Sequence, residues 1–162
     1  MAAGNTYTPI ATQTLGSAAA SVTFSSIPST YTDLVLVCIG KMVSGGDANQ
    51  PLTFNGDSSA LYSRTYMYGD GTSALSGRAS GTTNLGFPYW NSTNPVTTII
   101  QIMNYSNATT FKTALSRNAG SSTVTAEVGL YRSTSAISSI TLTGGVNFAT
   151  GSTFSLYGIA AA

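Results

Sequence analysis

At 162 residues, with no histidine, one cysteine, five acids and six bases, the chain lacks most of the side chains that carry out chemistry. A Ser-His-Asp triad, a Cys-His pair and a histidine zinc site are excluded, because histidine supplies the usual general base and metal ligand. Charged residues make up 7%, against about 25% in an average domain, so hydroxyls and amides must form the surface.

Apolar residues recur with strand spacing, and no stretch sustains the helical period. Residues 1–6 are expected to be a flexible N-terminal arm, with Tyr7 to Leu15 as the first strand. Ser21-Val22-Thr23-Phe24 alternates, and Ile27-Pro28-Ser29-Thr30 supplies turn chemistry. The apolar run from Leu34 to Ile39 reads as a strand buried on both faces, so Val37→Asp is expected to unfold the domain. Cys38 inside that run reads as a small buried hydrophobe, with no disulfide possible within the chain. Leu52 to Asn55 and Leu61 to Tyr68 follow, and Asn55-Gly56 and Asp70-Gly71 suit positions that need positive φ. From Ser73 to Asn94 the pattern is irregular, with Gly77, Gly81, Gly86 and Pro88 among Phe87, Tyr89 and Trp90. A long loop of that kind serves function or an interface. Val96 to Tyr105, Thr110 to Arg117, Thr123 to Arg132, Ile137 to Thr143 and Thr153 to Ile159 then read as consecutive hairpins, giving about ten strands. The expectation is one all-β domain over residues 1–162, an antiparallel two-sheet sandwich that is jelly-roll-like. An up-and-down barrel or another Greek-key sandwich is the alternative.

The carboxylates available for acid–base work on a glycoside are Asp33, Asp47, Asp57, Asp70 and Glu127. Asp47, Asp57 and Asp70 stand beside Gly46, Gly56 and Gly71 and read as turn formers. Glu127 alternates against Ala126 and Val128 and reads as a solvent-facing residue paired across the sheet with Arg117 or Lys112. No catalytic residue, cofactor site or metal site is assigned, and the chain reads as a non-enzyme. Aromatic side chains bring contact area at low entropy cost. The candidate partner-binding residues are therefore Tyr62, Tyr66 and Tyr68 on one strand face, with Phe87, Tyr89 and Trp90 in the irregular segment. A net charge of +1, with Lys41, Arg64, Arg78, Lys112, Arg117 and Arg132 scattered singly, offers no stripe for nucleic acid and little repulsion between copies. No apolar stretch has the length of a membrane span, so no membrane insertion is expected.

Several segments carry a resemblance. Ser21-Val22-Thr23-Phe24-Ser25-Ser26-Ile27-Pro28 is followed by Tyr31-Thr32-Asp33-Leu34-Val35-Leu36-Val37 and then by Phe54-Asn55-Gly56-Asp57 and Tyr68-Gly69-Asp70-Gly71. Ile102-Met103-Asn104-Tyr105, Leu130-Tyr131-Arg132-Ser133-Thr134 and the ending from Gly151 to Ile159 complete the order. The whole resembles a module recurrent in virion structural proteins of tailed bacteriophages, including phages of marine cyanobacteria. The resemblance implies a virion protein made in the host cytoplasm. With the module beginning almost at Met1 and no shaft before it, a capsid decoration (cement) protein is expected, bound to the major capsid protein and to itself as a homotrimer. The alternative is a receptor- or carbohydrate-binding knob of a tail or head fibre, whose ligand would be a host-surface glycan.

Overall fold

A computed structural model describes residues 6–120 and 123–160. The expected N-terminal arm thus lies, apart from Thr6, outside the described residues. The first strands are β1 (Tyr7–Thr14), β2 (Ala19–Phe24), β3 (Asp33–Gly40), β4 (Ala48–Asn49), β5 (Leu52–Phe54) and β6 (Tyr62–Gly69). They are followed by β7 (Ala74–Thr82), β8 (Tyr89–Trp90), β9 (Val96–Met103), β10 (Lys112–Ala119), β11 (Val124–Tyr131), β12 (Ile140–Phe148) and β13 (Thr153–Ile159). No helix occurs among the described residues, so none is long and apolar enough to cross a membrane.

The fold is all-β and antiparallel. Eight strands form one sheet in the order β1-β13-β3-β9-β10-β11-β6-β7, three form a second in the order β2-β12-β5, and β4 and β8 form a short ribbon. Strands β9, β10 and β11 pair in succession, and β6 returns beside β11, so β9-β10-β11-β6 has the strand order of a Greek key. Alternation decides what each strand buries. Leu34, Leu36 and Cys38 of β3, Ile100 and Ile102 of β9, and Phe154 and Leu156 of β13 meet Val22, Phe24, Leu52, Phe54, Ile140, Leu142 and Phe148 of the smaller sheet in one core. Rings join the two sheets, with Phe148 5.2 Å from Phe154 and Phe54 5.5 Å from Tyr131. Cys38 belongs to this core, where burial pushes its thiol pKa well up and leaves it inert.

Three expectations are corrected. Of the consecutive hairpins expected from Val96 onward, β9, β10 and β11 pair in succession, whereas β12 pairs with β2 and β5 and β13 with β1 and β3. The segment from Ser73 to Asn94 is not one long loop: its first half is β7, a strand paired with β6 along its whole length. Its run of Ser, Gly, Ala and Thr shows no apolar period because β7 is a sheet edge with most of its residues exposed. Strand β3 is interior in the sheet but is not buried on both faces. Leu34, Leu36 and Cys38 are fully buried, whereas Val37 on the opposite face is half-buried and Ile39 is 47% exposed. That outer face is covered only in part: Val35 is buried on it beside Tyr7 and Arg117, but Val37 is half-buried and outside the core between the sheets, so Val37→Asp does not place a charge in that core.

The turn expectations hold locally. Asn55 and Gly56 both take positive φ (55° and 67°), and the Asn55 carboxamide is fixed by accepting from the Ser138 and Ser139 amides and donating to the Ala136 carbonyl. Asp70 Oδ1 accepts from the amides of Thr72 and Ser73, forming the Asx turn that starts β7.

Candidate functional site

The register of β6 and β11 sets Tyr66 opposite Glu127 and Tyr68 opposite Thr125, all on the sheet's inner face. Asn49 of β4 and Tyr89 of β8 lie across from them, and the strands enclose a cleft of about 220 Å³ lined also by Arg64. Glu127 is only 4% exposed. Its Oε2 accepts from Arg64 Nη1 at 2.9 Å, and the same nitrogen donates to the Gly86 carbonyl at 2.7 Å. Burial pushes the Glu127 pKa up, and the adjacent guanidinium offsets part of that shift. The Arg64 guanidinium also lies over Tyr66, 5.1 Å from its ring centroid, and the Tyr66 and Tyr68 rings lie 6.4 Å apart at 27°. The Tyr89 hydroxyl is raised in pKa by burial, then by the charge of Asp47 and the neighbouring Tyr68 and Glu127.

Two glycines make this arrangement possible. A Cβ on Gly77 would meet the Tyr66 hydroxyl at 2.5 Å, and one on Gly86 would meet Arg64 Nη1 at 2.6 Å. The irregular composition of β7 and the following segment therefore has a steric cause: Tyr66 lies flat across one glycine and Arg64 passes the other. Thr125 Oγ1 is buried and has no hydrogen-bond partner. Such a group in a native fold calls for a water or a ligand.

Of the six aromatic candidates, the structure brings Tyr66, Tyr68 and Tyr89 together at the cleft. Tyr62, Phe87 and Trp90 are fully buried in the core. Tyr62 stacks on Tyr131 at 4.7 Å and donates to the Asp57 carbonyl at 2.9 Å. Trp90 packs against Phe148 and Phe154 and donates its indole N–H to Thr98 Oγ1 at 3.0 Å. Glu127 is corrected as well: it faces inward and pairs with Arg64, not with Arg117 or Lys112. Arg117 sits opposite Ala126 on the outer face, and the buried Lys112 ammonium donates to the Thr110 and Thr134 carbonyls. Asp57 and Asp70 serve turns, and hydrogen bonds hold both carboxyls below the usual range, from Ser59 and Tyr131 at Asp57 and from Thr72 and Ser73 at Asp70. Asp47 accepts from Asn91 Nδ2 at 2.6 Å. Among the described residues no three His, Cys, Asp or Glu groups converge. Arg64 and Asn49 are cleft residues that the sequence reading missed. The available signal for Arg64 was its two-residue spacing from Tyr62 and Tyr66, which puts it on the tyrosine face.

The opposite face of the large sheet is a second feature. Val37 and Ile39 of β3, Ile99 of β9, Leu115 of β10, Val124 and Val128 of β11 and Met67 of β6 all point outward. Met67 is 63% exposed, Val124 60% and Val128 50%. Arg78 and Arg117 share this face. Comparison with protein-family models, with curated proteins and with solved structures gave no match.

Proposed function

We propose that the chain is a virion structural protein of a tailed bacteriophage, a capsid decoration (cement) protein that assembles as a homotrimer and braces the head without catalysis. It is made in the host cytoplasm and works in the virion, with the major capsid protein and its own copies as partners. The order of motifs along nearly the whole chain supports the phage assignment. The single observation that carries the assembly role is the apolar outer face of the eight-stranded sheet. Contiguous exposed apolar surface marks an interaction site. Valine and isoleucine interspersed with Met67, Arg78 and Arg117 also match the enrichment of Met and Arg at interfaces.

The sheet edges favour contact through the face. Edge β1 carries Pro9 and a register shift between Pro9 and Ala11, and edge β7 is short-chained, glycine-containing and bears Arg78. Both devices discourage edge-to-edge pairing. Two layers and a Greek-key order support a β-sandwich, and a jelly-roll-like wiring is part of the proposal. The smaller sheet packs on the inner face of the eight-stranded sheet, which leaves the wide outer face for neighbours.

Val128→Asp tests the reading, since it puts a charge on that face without touching the core. In sedimentation velocity the parent is expected to run as a trimer and the variant as a monomer of unchanged circular dichroism. The parent should also melt higher as its concentration rises, because association draws on the folded state alone. Added to heads lacking decoration, the parent should coat them and the variant should not. A monomeric parent, or a variant that assembles and coats as the parent does, would sink the proposal.

A further inference from the structure

We propose that the cleft between β6, β11 and the β4–β8 ribbon is a binding site for a single neutral pyranose ring. The inference goes beyond the assembly role and stands on the cleft, not on the resemblance. The cleft is on the inner side of the large sheet, whereas the proposed assembly surface is the outer side, so both can be occupied at once.

Charge narrows the ligand first. The Arg64 guanidinium is already matched by Glu127 at 2.9 Å and covered by the Tyr66 ring, so the cleft offers no uncompensated charge to a phosphate, a carboxylate or a metal cation. Hydrogen-bonding capacity narrows it further. The Glu127 carboxylate can only accept, the Arg64 guanidinium can only donate, and Thr125 Oγ1 is buried, unpaired and can do either. A ligand must therefore present donors and acceptors together, which vicinal hydroxyls do and an apolar ring does not. The tyrosines supply the complement to a sugar's C–H face, with Tyr66 and Tyr68 lying side by side at 27° and Tyr89 across from them. Size sets the last limit. Pockets for drug-sized ligands run about 300–1,000 Å³, so a cleft of about 220 Å³ admits one sugar ring and not an oligosaccharide within its walls.

The test is titration of the full chain by NMR with the methyl glycosides of glucose, galactose, mannose and N-acetylglucosamine, alongside methyl glucuronide and inorganic phosphate. At least one neutral glycoside should saturate and shift the tyrosine ring resonances. Tyr68→Ala, at a half-buried position, should weaken that binding about tenfold or more with the rest of the spectrum unchanged. Glu127→Gln, which keeps shape and removes the acceptor-only oxygen, should weaken it similarly. The Val128→Asp variant should bind as the parent does, which separates this site from assembly. Three results would overturn the inference: no neutral glycoside saturates, phosphate or the glucuronide binds more tightly than its neutral counterparts, or both cleft variants bind like the parent.

Discussion

Replacing Trp90 by alanine is expected to remove about 3–5 kcal/mol of folding stability, the usual cost of truncating a buried large aromatic. Trp90 is fully buried, 5.6 Å from the Phe148 ring and 5.8 Å from that of Phe154, so its loss opens a cavity where the two main sheets meet. It also begins a buried polar chain. Its indole donates to Thr98 Oγ1, that hydroxyl donates to Asn118 Oδ1 at 2.6 Å, and Asn118 Nδ2 donates to the Tyr89 carbonyl at 2.9 Å. Through this chain the β4–β8 ribbon is held over β9 and β10, so the damage should reach the cleft wall at Tyr89. Trp90→Phe separates the two effects, since it keeps most of the packing, loses the hydrogen bond and should cost only about 1–2 kcal/mol. Urea unfolding followed by circular dichroism measures both. A Trp90→Ala midpoint close to the parent's would show that Trp90 does not carry the core contact described.

How much of this was legible follows from which faces are buried. Strands such as β2, β9 and β13 bury one apolar face, so alternation revealed them, and their limits in the structure lie within a few residues of the expected ones. Strands β4 and β8 are too short to show a period, and β7 has too few buried positions for one. The error at β11 is more instructive. Alternation correctly separated Glu127 from Ala126 and Val128, but the rule that apolar residues face inward pointed the wrong way. Here the valines are outside and the carboxylate is inside, because Arg64 on the neighbouring strand compensates it. No single strand encodes that choice. It depends on β6 pairing with β11 in a register that brings Arg64 within 2.9 Å of Glu127. The same limit applied to the aromatics: spacing placed Tyr62, Tyr66 and Tyr68 on one face, but it could not show that the core ends between Tyr62 and Tyr66.

That buried pair sets the second large effect. Arg64→Met is expected to cost about 3–5 kcal/mol near neutral pH, because it leaves Glu127 charged in a site that is 4% exposed with no counter-ion. The loss should depend on pH with a definite sign. Burial already holds the folded Glu127 pKa above its ordinary value, and removing the guanidinium takes away the influence that lowers it. The folded variant therefore binds this proton more tightly than the unfolded chain, so its stability falls as pH rises from the unfolded value of about 4.3 through the raised folded value. Relative to the parent, the deficit should be small at about pH 4.5 and full at about pH 8. Adding Glu127→Leu to Arg64→Met removes the stranded charge and should restore most of the stability, a coupling that two independent sites would not show. Urea midpoints for the parent, the two single variants and the double variant at both pH values read it directly. A deficit for Arg64→Met that is the same at both pH values, or a double variant whose loss is the sum of the two single losses, would mean that Glu127 does not depend on Arg64 for its charge.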